Sequence, residues 1–134
     1  MNLMNYLAIL ASAVASMALG WLWFGPLFGK LWLKGMKFES KKMDEMKKGA
    51  AKSYVGMVVA TLLTFFVLAK LFDTFAIASA ASALMLAFWI WLGFVLTVLF
   101  GAVLWEGKSS TVFLINAAYY LVNLLLGAWI LTLF

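Results

Sequence analysis

Long apolar stretches alternate with short polar segments along the whole chain. The four apolar stretches cover residues 3–25, 54–72, 82–104 and 112–133. Each is close to, or longer than, the roughly 20 residues that an α-helix needs to cross a bilayer. None has an acidic or basic residue at its centre. The pattern predicts an all-α, polytopic membrane protein in which four transmembrane helices form a single domain over residues 1–134.

Gly25 and Pro26 stand at the end of the first apolar stretch. A residue before proline avoids the α-helical region, and proline itself has no backbone N–H to donate. We therefore expect the first transmembrane helix to break at this pair, and a new, shorter helix to start just after it.

The segment that follows, residues 29–53, is the basic loop, which holds most of the charge. Eight of the ten lysines lie there, together with three of the five acidic residues. At helical spacing, Lys30, Lys34 and Lys37 share one face, whereas Leu31 and Trp32 lie on another. This pattern is typical of an amphipathic helix in the membrane interface, so we expect the three lysines to contact anionic lipid. A second short helix is predicted over residues 40–48.

The lysines also predict an orientation. Because lysine-rich loops between spans stay on the cytoplasmic side, the basic loop is expected in the cytoplasm. Four spans then place both termini outside, in a multi-pass protein of the inner (cytoplasmic) membrane. Five tryptophans near the predicted helix ends would form the interfacial aromatic belts: Trp21, Trp23, Trp32, Trp105 and Trp129.

Composition excludes several classes of function. The chain is 67% hydrophobic and 11% charged, whereas soluble domains carry about a quarter charged residues. It has no cysteine and no histidine, which removes thiolate chemistry, disulfides and the usual zinc and haem ligands. No motif matches a nucleophile with its base. We therefore expect no catalytic residue, no metal site and no cofactor, in a protein that is not an enzyme.

The net charge of +5 does not indicate a nucleic-acid partner. The lysine-rich segment contains no arginine and few aromatic residues on which bases could stack. Clustered lysines beside a membrane span instead indicate topology and contact with membrane lipids.

Asn116, Tyr120 and Asn123 fall on one face of the fourth predicted helix. They could line a polar path for a small solute or ion. Alternatively, they hydrogen-bond to neighbouring helices, which is the commoner use of such residues inside a membrane. The spacing alone fits both interpretations.

Glu106 and Lys108 follow the third predicted helix. A carboxylate at the C-terminal end of a helix opposes the helix dipole and needs a compensating positive charge. We expect Glu106 to pair with Lys108 or with a lysine of the basic loop. The alternative is a cation or proton site at the cytoplasmic mouth of the bundle.

Small residues recur at every fourth position in three of the predicted helices. The three stripes are Ala8, Ser12, Ser16 and Gly20; Gly56, Ala60 and Thr64; and Gly93, Thr97 and Gly101. Such stripes allow two helices to approach closely. Since a monomer can use only some of them, we expect a homo-oligomer. No motif points to a protein partner of another kind.

Several stretches together resemble a known family. They are the Trp-Phe-Gly-Pro segment at residues 23–26 with its continuation to residue 32, the Trp-Leu-Gly-Phe of residues 91–94, the Glu-Gly-Lys of residues 106–108, and the Asn-Ala-Ala-Tyr-Tyr of residues 116–120. The chain is similar to a family of small bacterial four-helix integral membrane proteins classed as a domain of unknown function. The resemblance implies the same fold and topology over nearly the whole chain. It brings no assigned activity and carries over no functional residue.

Two hypotheses for function follow. No predicted helix has a charged residue at its centre, which proton-coupled transporters generally need. The first hypothesis is therefore a non-enzymatic membrane module that associates with lipids or with itself. The second is a passive channel or facilitator for a small solute or ion, with a polar path along the fourth helix.

Overall fold

The computed structural model describes residues 2–37 and 40–134. The chain is 89% helical, and no strand occurs among these residues. Four of the described helices are long and apolar enough to cross a membrane: Leu3–Leu27 (span 1), Ala50–Thr74 (span 2), Ala80–Trp105 (span 3) and Ser110–Leu133 (span 4). The predicted all-α, four-span architecture is confirmed. The chain is a multi-pass membrane protein.

Spans 1 and 3 each contain a widened, π-helical segment. Span 1 is an α-helix over Leu3–Leu22 and a π-helix over Trp23–Leu27. Span 3 is α-helical over Ala80–Ile90, π-helical over Trp91–Leu96 and α-helical again over Thr97–Trp105. Both π-helical segments begin with the pattern Trp-x-Gly.

Two shorter helices connect spans 1 and 2. The linker helix covers Gly29–Met36, and the charged helix covers Ser40–Lys48. The predicted amphipathic segment between the first two spans is therefore helical, as expected. Glu39, one of the acidic residues of the basic loop, lies outside the described residues.

The prediction that span 1 breaks at Gly25 and Pro26 is wrong. The helix continues through both residues to Leu27, because the backbone widens around the proline. The N–H of Phe28 donates to the C=O of Trp23, five residues earlier, at 2.9 Å. A π-helical turn of this kind accommodates a missing N–H without ending the helix. The chain turns only after Leu27, and Gly29 is needed there because a Cβ would lie 2.5 Å from the Phe24 carbonyl oxygen.

Polar side chains cap the starts of spans 1, 3 and 4. The Asn2 side chain accepts from the N–H of Asn5 at 3.2 Å, and Asn5 accepts from the N–H of Asn2 at 2.9 Å, which caps span 1 reciprocally. Ser79 accepts from the N–H of Ser82 to cap span 3, and Ser109 caps span 4 in the same way. These caps satisfy N–H groups that would otherwise lack a partner.

Span 4 is the central helix. Spans 1 and 3 both pack along it, and span 2 packs mainly on span 1. The small-residue stripe of span 1 faces span 4: Ala8, Ser12 and Ser16 are buried, and the Ser12 hydroxyl donates to the Gly127 carbonyl oxygen at 3.4 Å. The predicted close approach along this stripe is present.

The apolar core lies at one end of the bundle, here called the far end. This end carries the start of span 1 and the turn between spans 2 and 3. Its centre is Phe65, which is fully buried against Gly127. The buried residues around it are Ala8, Ile9, Leu68, Ala69, Phe72, Ala83, Ala87, Leu124, Ala128 and Leu131.

The opposite end, called the basic end, carries the basic loop and the turn at residues 106–109. Here span 2 separates from the other spans, and span 3 contacts span 4 only through residues that are not buried. Residues 51–60 of span 2 are all exposed, and no residue of span 3 from Trp91 to Trp105 is buried. The stripes of these two spans are open, since nothing lies within 4 Å of a Cβ placed on Gly56, Gly93 or Gly101.

Candidate functional site

A cleft of about 760 Å³ lies where the spans separate at the basic end. All four spans and the linker helix contribute to its walls. Its volume falls within the roughly 300–1,000 Å³ that is usual for small-molecule sites. The lining residues are Ser16, Met17, Gly20, Trp21, Phe24, Gly25, Trp32, Leu33, Tyr54, Met57, Leu99, Asn116, Tyr119 and Tyr120.

The linker helix covers one side of this cleft. It folds back onto the start of span 4, where a Cβ on Gly35 would lie 2.5 Å from Val112 Cγ2. Only a glycine permits that approach. From this position the Trp32 indole Nε1 donates to Asn116 Oδ1 at 3.2 Å, and its ring meets that of Phe24 edge-on at 5.7 Å between centroids.

Aromatic rings form the wall between spans 1 and 4. The ring of Tyr119 lies edge-on to Phe24 at 5.1 Å and to Tyr120 at 5.2 Å, and it is 6.3 Å from Trp23. Tyr119 is buried, with its hydroxyl next to Gly20 and beside Ser16. The wall is therefore aromatic, with the Tyr119 hydroxyl group buried behind it.

Three tryptophans donate to consecutive residues of span 4. The Nε1 of Trp23 donates to the Ile115 carbonyl oxygen at 3.1 Å, that of Trp91 to the Ala117 carbonyl oxygen at 2.8 Å, and Trp32 to Asn116. Trp23 and Trp91 are the first residues of the two π-helical segments. Hence both widened segments are fixed to the central helix at the level of the cleft.

These contacts change the interpretation of two belt tryptophans. Trp23 and Trp32 were expected at the membrane interface, but their N–H groups are directed into the bundle. Trp21, Trp105 and Trp129 are exposed, as belt residues should be.

The structure separates the three polar residues predicted on span 4. Asn123 is buried and accepts from the Ser16 hydroxyl. Asn116 lines the cleft and accepts from Trp32, and Tyr120 lines the cleft with 36% of its surface exposed. Each asparagine thus has a partner in another helix, as the packing interpretation requires, while Asn116 and Tyr120 also face open space.

Tyr119 and Ser16 were not singled out from the sequence. Tyr119 is next to Tyr120 in the sequence and lines the same cleft, and the two rings meet edge-on. Ser16 belonged to a stripe whose predicted use was close packing. The signal that could have found them is that the stripe of span 1 contains two hydroxyl groups, which need partners on the helix it meets.

Among the described side chains, Glu106 does not have the predicted partner. Both Glu106 and Lys108 are exposed, and in the described part of the chain neither takes part in an ion pair. Gly107, with φ +67°, turns the chain so that the N–H groups of Glu106 and Lys108 both donate to the Ala102 carbonyl oxygen, at 3.0 and 3.2 Å. Lys108 lies at a second cavity, of about 290 Å³.

The predicted lysine face is shorter than expected. Lys30, Lys34 and Lys37 are all exposed. The linker helix ends at Met36, however, and Lys37 is its left-handed cap with φ +55°. Only Lys30 and Lys34 therefore share a helical face.

A comparison with protein families identifies the chain. One family model matches residues 7–132, which is nearly all of it. The chain belongs to the DUF1761 family. That family is described as "Protein of unknown function (DUF1761)", so membership confirms the resemblance seen in the sequence and assigns no activity. No curated protein and no solved structure matches the chain.

In this DUF1761 member, the chemistry of the cleft is that of hydrogen bonding and apolar contact. Among the described residues, no group of three or more acidic residues could hold a metal ion. The cleft offers hydroxyl and amide groups on an aromatic wall, and neither aspartate nor glutamate lines it. Such a lining can hold an apolar molecule and orient it through a few polar atoms.

Proposed function

We propose that this protein is a non-enzymatic membrane module that takes an acyl chain from the surrounding bilayer into the cleft at the basic end. One observation carries the proposal. The spans pack closely at the far end, whereas a cleft of about 760 Å³ lies between them at the basic end.

An open cleft of this size between helices is unfavourable if nothing fills it. Side chains around an empty space lose their van der Waals contacts, which are a main source of stability between helices in a membrane. A lipid chain would restore those contacts for Met17, Leu33, Met57 and Leu99, which line the cleft. Methionine is flexible enough to fit chains of different shape.

The proposal places the cleft in the cytoplasmic leaflet of the inner membrane. The excess of lysine in the basic loop favours the cytoplasm for that loop, and both termini then lie outside. The exposed Lys30 and Lys34 of the linker helix would meet the phosphate groups of anionic lipids there.

Self-association is part of the proposal. The small-residue stripes of spans 2 and 3 are open, so other helices can approach both spans. A second copy of the chain is the partner that we propose. Native mass spectrometry in a mild detergent would give one defined oligomer, whereas a monomer at every concentration would contradict self-association.

Cross-linking tests the occupancy of the cleft. The protein in liposomes would be irradiated with a palmitate that carries a diazirine in its chain, and the attachment sites mapped. We expect labelling of lining residues such as Met17, Tyr54 and Met57. Gly25→Phe should reduce that labelling severalfold, because Gly25 lines the cleft and its Cβ would meet nothing within 4 Å.

Gly93→Phe is the matched control. Gly93 also lies in a π-helical segment and is equally open, but it does not line the cleft. Labelling of the lining residues should be unchanged in this variant. Uniform labelling of all lipid-facing residues, with no difference between the two variants, would contradict the proposal.

A passive channel is the second candidate, and one observation favours it. Asn116 and Tyr120 both line the cleft, as a polar path would require. The route would have to continue past Asn123, which is hydrogen-bonded to Ser16, and past Phe65 at the closed far end. The lipid proposal needs no such opening, so we place it first.

A further inference from the structure

We infer that the ligand of the cleft is an acyl amphiphile with an anionic headgroup, and that the headgroup binds in the smaller cavity beside Lys108. This inference rests on the proposed function and specifies its ligand. The shared chemistry is a carboxylate or phosphate oxygen attached to a hydrocarbon chain.

The two cavities adjoin each other. The smaller one, of about 290 Å³, shares Trp32, Leu99 and Asn116 with the cleft. Lys108 lines only the smaller cavity, whereas Met17 and Met57 line only the cleft. The combined space is therefore cationic at the Lys108 end and apolar at the end of the cleft. An anionic amphiphile would match it, with its headgroup at Lys108 and its hydrocarbon chain in the cleft.

Asn116 offers a hydrogen-bond donor where the cavities meet. The Trp32 indole has an N–H and no acceptor, so the amide atom that it meets at 3.2 Å must be the oxygen. This fixes the orientation of the Asn116 side chain and leaves its NH₂ group as the donor. Among the described residues, no acceptor is hydrogen-bonded to that group. A ligand oxygen would be its partner.

Charge at the cavities favours an anion. No acidic residue lines either cavity, and Lys108 takes part in no ion pair among the described residues. Glu106 is two residues away, but it is exposed and lines neither cavity. A cationic headgroup would be repelled by the Lys108 ammonium group. A neutral headgroup would leave that ammonium group without a counter-charge.

Native mass spectrometry of the full chain in a non-ionic detergent tests this inference. Four ligands with the same oleoyl chain would be titrated: oleate, phosphatidylglycerol, phosphatidylcholine and monoolein. We expect both anionic ligands to bind about fivefold more tightly than their neutral or zwitterionic counterparts, as one lysine contact near a membrane surface provides. A preference between oleate and phosphatidylglycerol would support the inference and identify the source of the headgroup.

Two variants locate the headgroup. Lys108→Gln should weaken the anionic ligands about fivefold and leave monoolein unchanged. Asn116→Asp keeps an oxygen for Trp32 but replaces the NH₂ donor with a carboxylate, so it should weaken the anionic ligands about tenfold or more. Lys47→Gln is the control, because Lys47 is exposed on the charged helix and lines neither cavity.

The outcomes separate this inference from the proposed function. If all four ligands bound with equal affinity and each lost its binding in the Gly25→Phe variant, the anionic headgroup would be ruled out, but the acyl-chain site would be retained. An equal effect of Lys108→Gln and Lys47→Gln would overturn the location beside Lys108. Binding that is insensitive to Gly25→Phe, or no binding of any acyl ligand, would overturn both.

Discussion

At the far end of the bundle the ring of Phe65 lies on Gly127 with no room for a single methyl group, whereas at the basic end residues 51–60 of span 2 touch nothing that buries them. The same four spans thus pack closely over one half of their length and separate over the other. Alanines of the far-end core and Gly127 let backbones approach there, whereas aromatic rings line the cleft at the basic end, where the small-residue stripes of spans 2 and 3 meet no other helix.

In the open half, hydrogen bonds join span 4 to every other element of the cleft except span 2. Three indole N–H groups fix span 1, the linker helix and span 3 to residues Ile115, Asn116 and Ala117 of span 4. A carbonyl oxygen in a helix has a second lone pair, so it can accept from an indole without losing its helical hydrogen bond. A helix bundle can therefore keep a cleft open and still join its helices through directional hydrogen bonds.

Phe65→Ala should have the largest effect. It empties the centre of the far end, and we expect a loss of about 3 kcal/mol in the free energy of unfolding. Denaturation in mixed SDS and non-ionic micelles measures this. Phe94→Ala is the control, since Phe94 is 75% exposed. Equal effects of the two changes would show that the far end is not a packed core.

Gly127→Ala tests the same contact from the other side. Its Cβ would lie 2.0 Å from Phe65 Cε1, so the ring must move, at about 1–3 kcal/mol. Gly56→Ala, with nothing within 4 Å, should leave stability unchanged in the same assay. The double variant Phe65→Ala/Gly127→Ala should be less destabilised than the sum of the single changes, because the clash is gone. Additive effects would contradict a direct contact.

Asn123→Leu separates packing from transport. If the Asn123–Ser16 hydrogen bond serves packing, its loss should lower stability by about 0.5–2 kcal/mol or disrupt the oligomer. Asn116→Leu, at a position nearer the open end, should lower stability by a smaller amount. The channel hypothesis makes the opposite prediction: replacing both Asn116 and Asn123 with leucine abolishes solute flux into liposomes while assembly and stability are kept.

Trp23→Phe should have the smallest effect on stability. It removes one N–H donor from the open half and keeps an aromatic ring, so we expect about 0.6 kcal/mol. Trp21→Phe is the control at an exposed position two residues away. A loss as large as that of Phe65→Ala would mean that the tryptophan bonds, and not the far-end core, hold the spans together.

The sequence predicted the elements of the fold well, because each span is a long apolar run whose polar ends limit it. It also predicted the use of the Ser12 and Ser16 stripe, since small residues four apart have only one common face. It failed at Pro26. A proline can end a helix or be accommodated in a widened π-helical turn, and the Gly-Pro pattern alone does not distinguish the two.

The candidate site could be predicted only in part. Asn116 and Tyr120 were found by their spacing, but the cleft arises because spans 2 and 3 diverge, and no local pattern encodes a divergence between helices. Trp23 and Trp32 were expected in an interfacial belt because both lie near predicted helix ends. A tryptophan near a helix end satisfies the belt pattern whether its N–H meets water or the carbonyl oxygen of another helix.

The central place of span 4 has a consequence for biosynthesis. Span 4 follows the other three in the chain, so the ribosome delivers it to the membrane after them. Until it arrives, Ser12 and Ser16 have no Gly127 or Asn123 to bond with, and spans 1 and 3 have no common surface. Spans 1 and 2 can pack on each other beforehand, but the bundle is complete only when the fourth span joins span 1 to span 3.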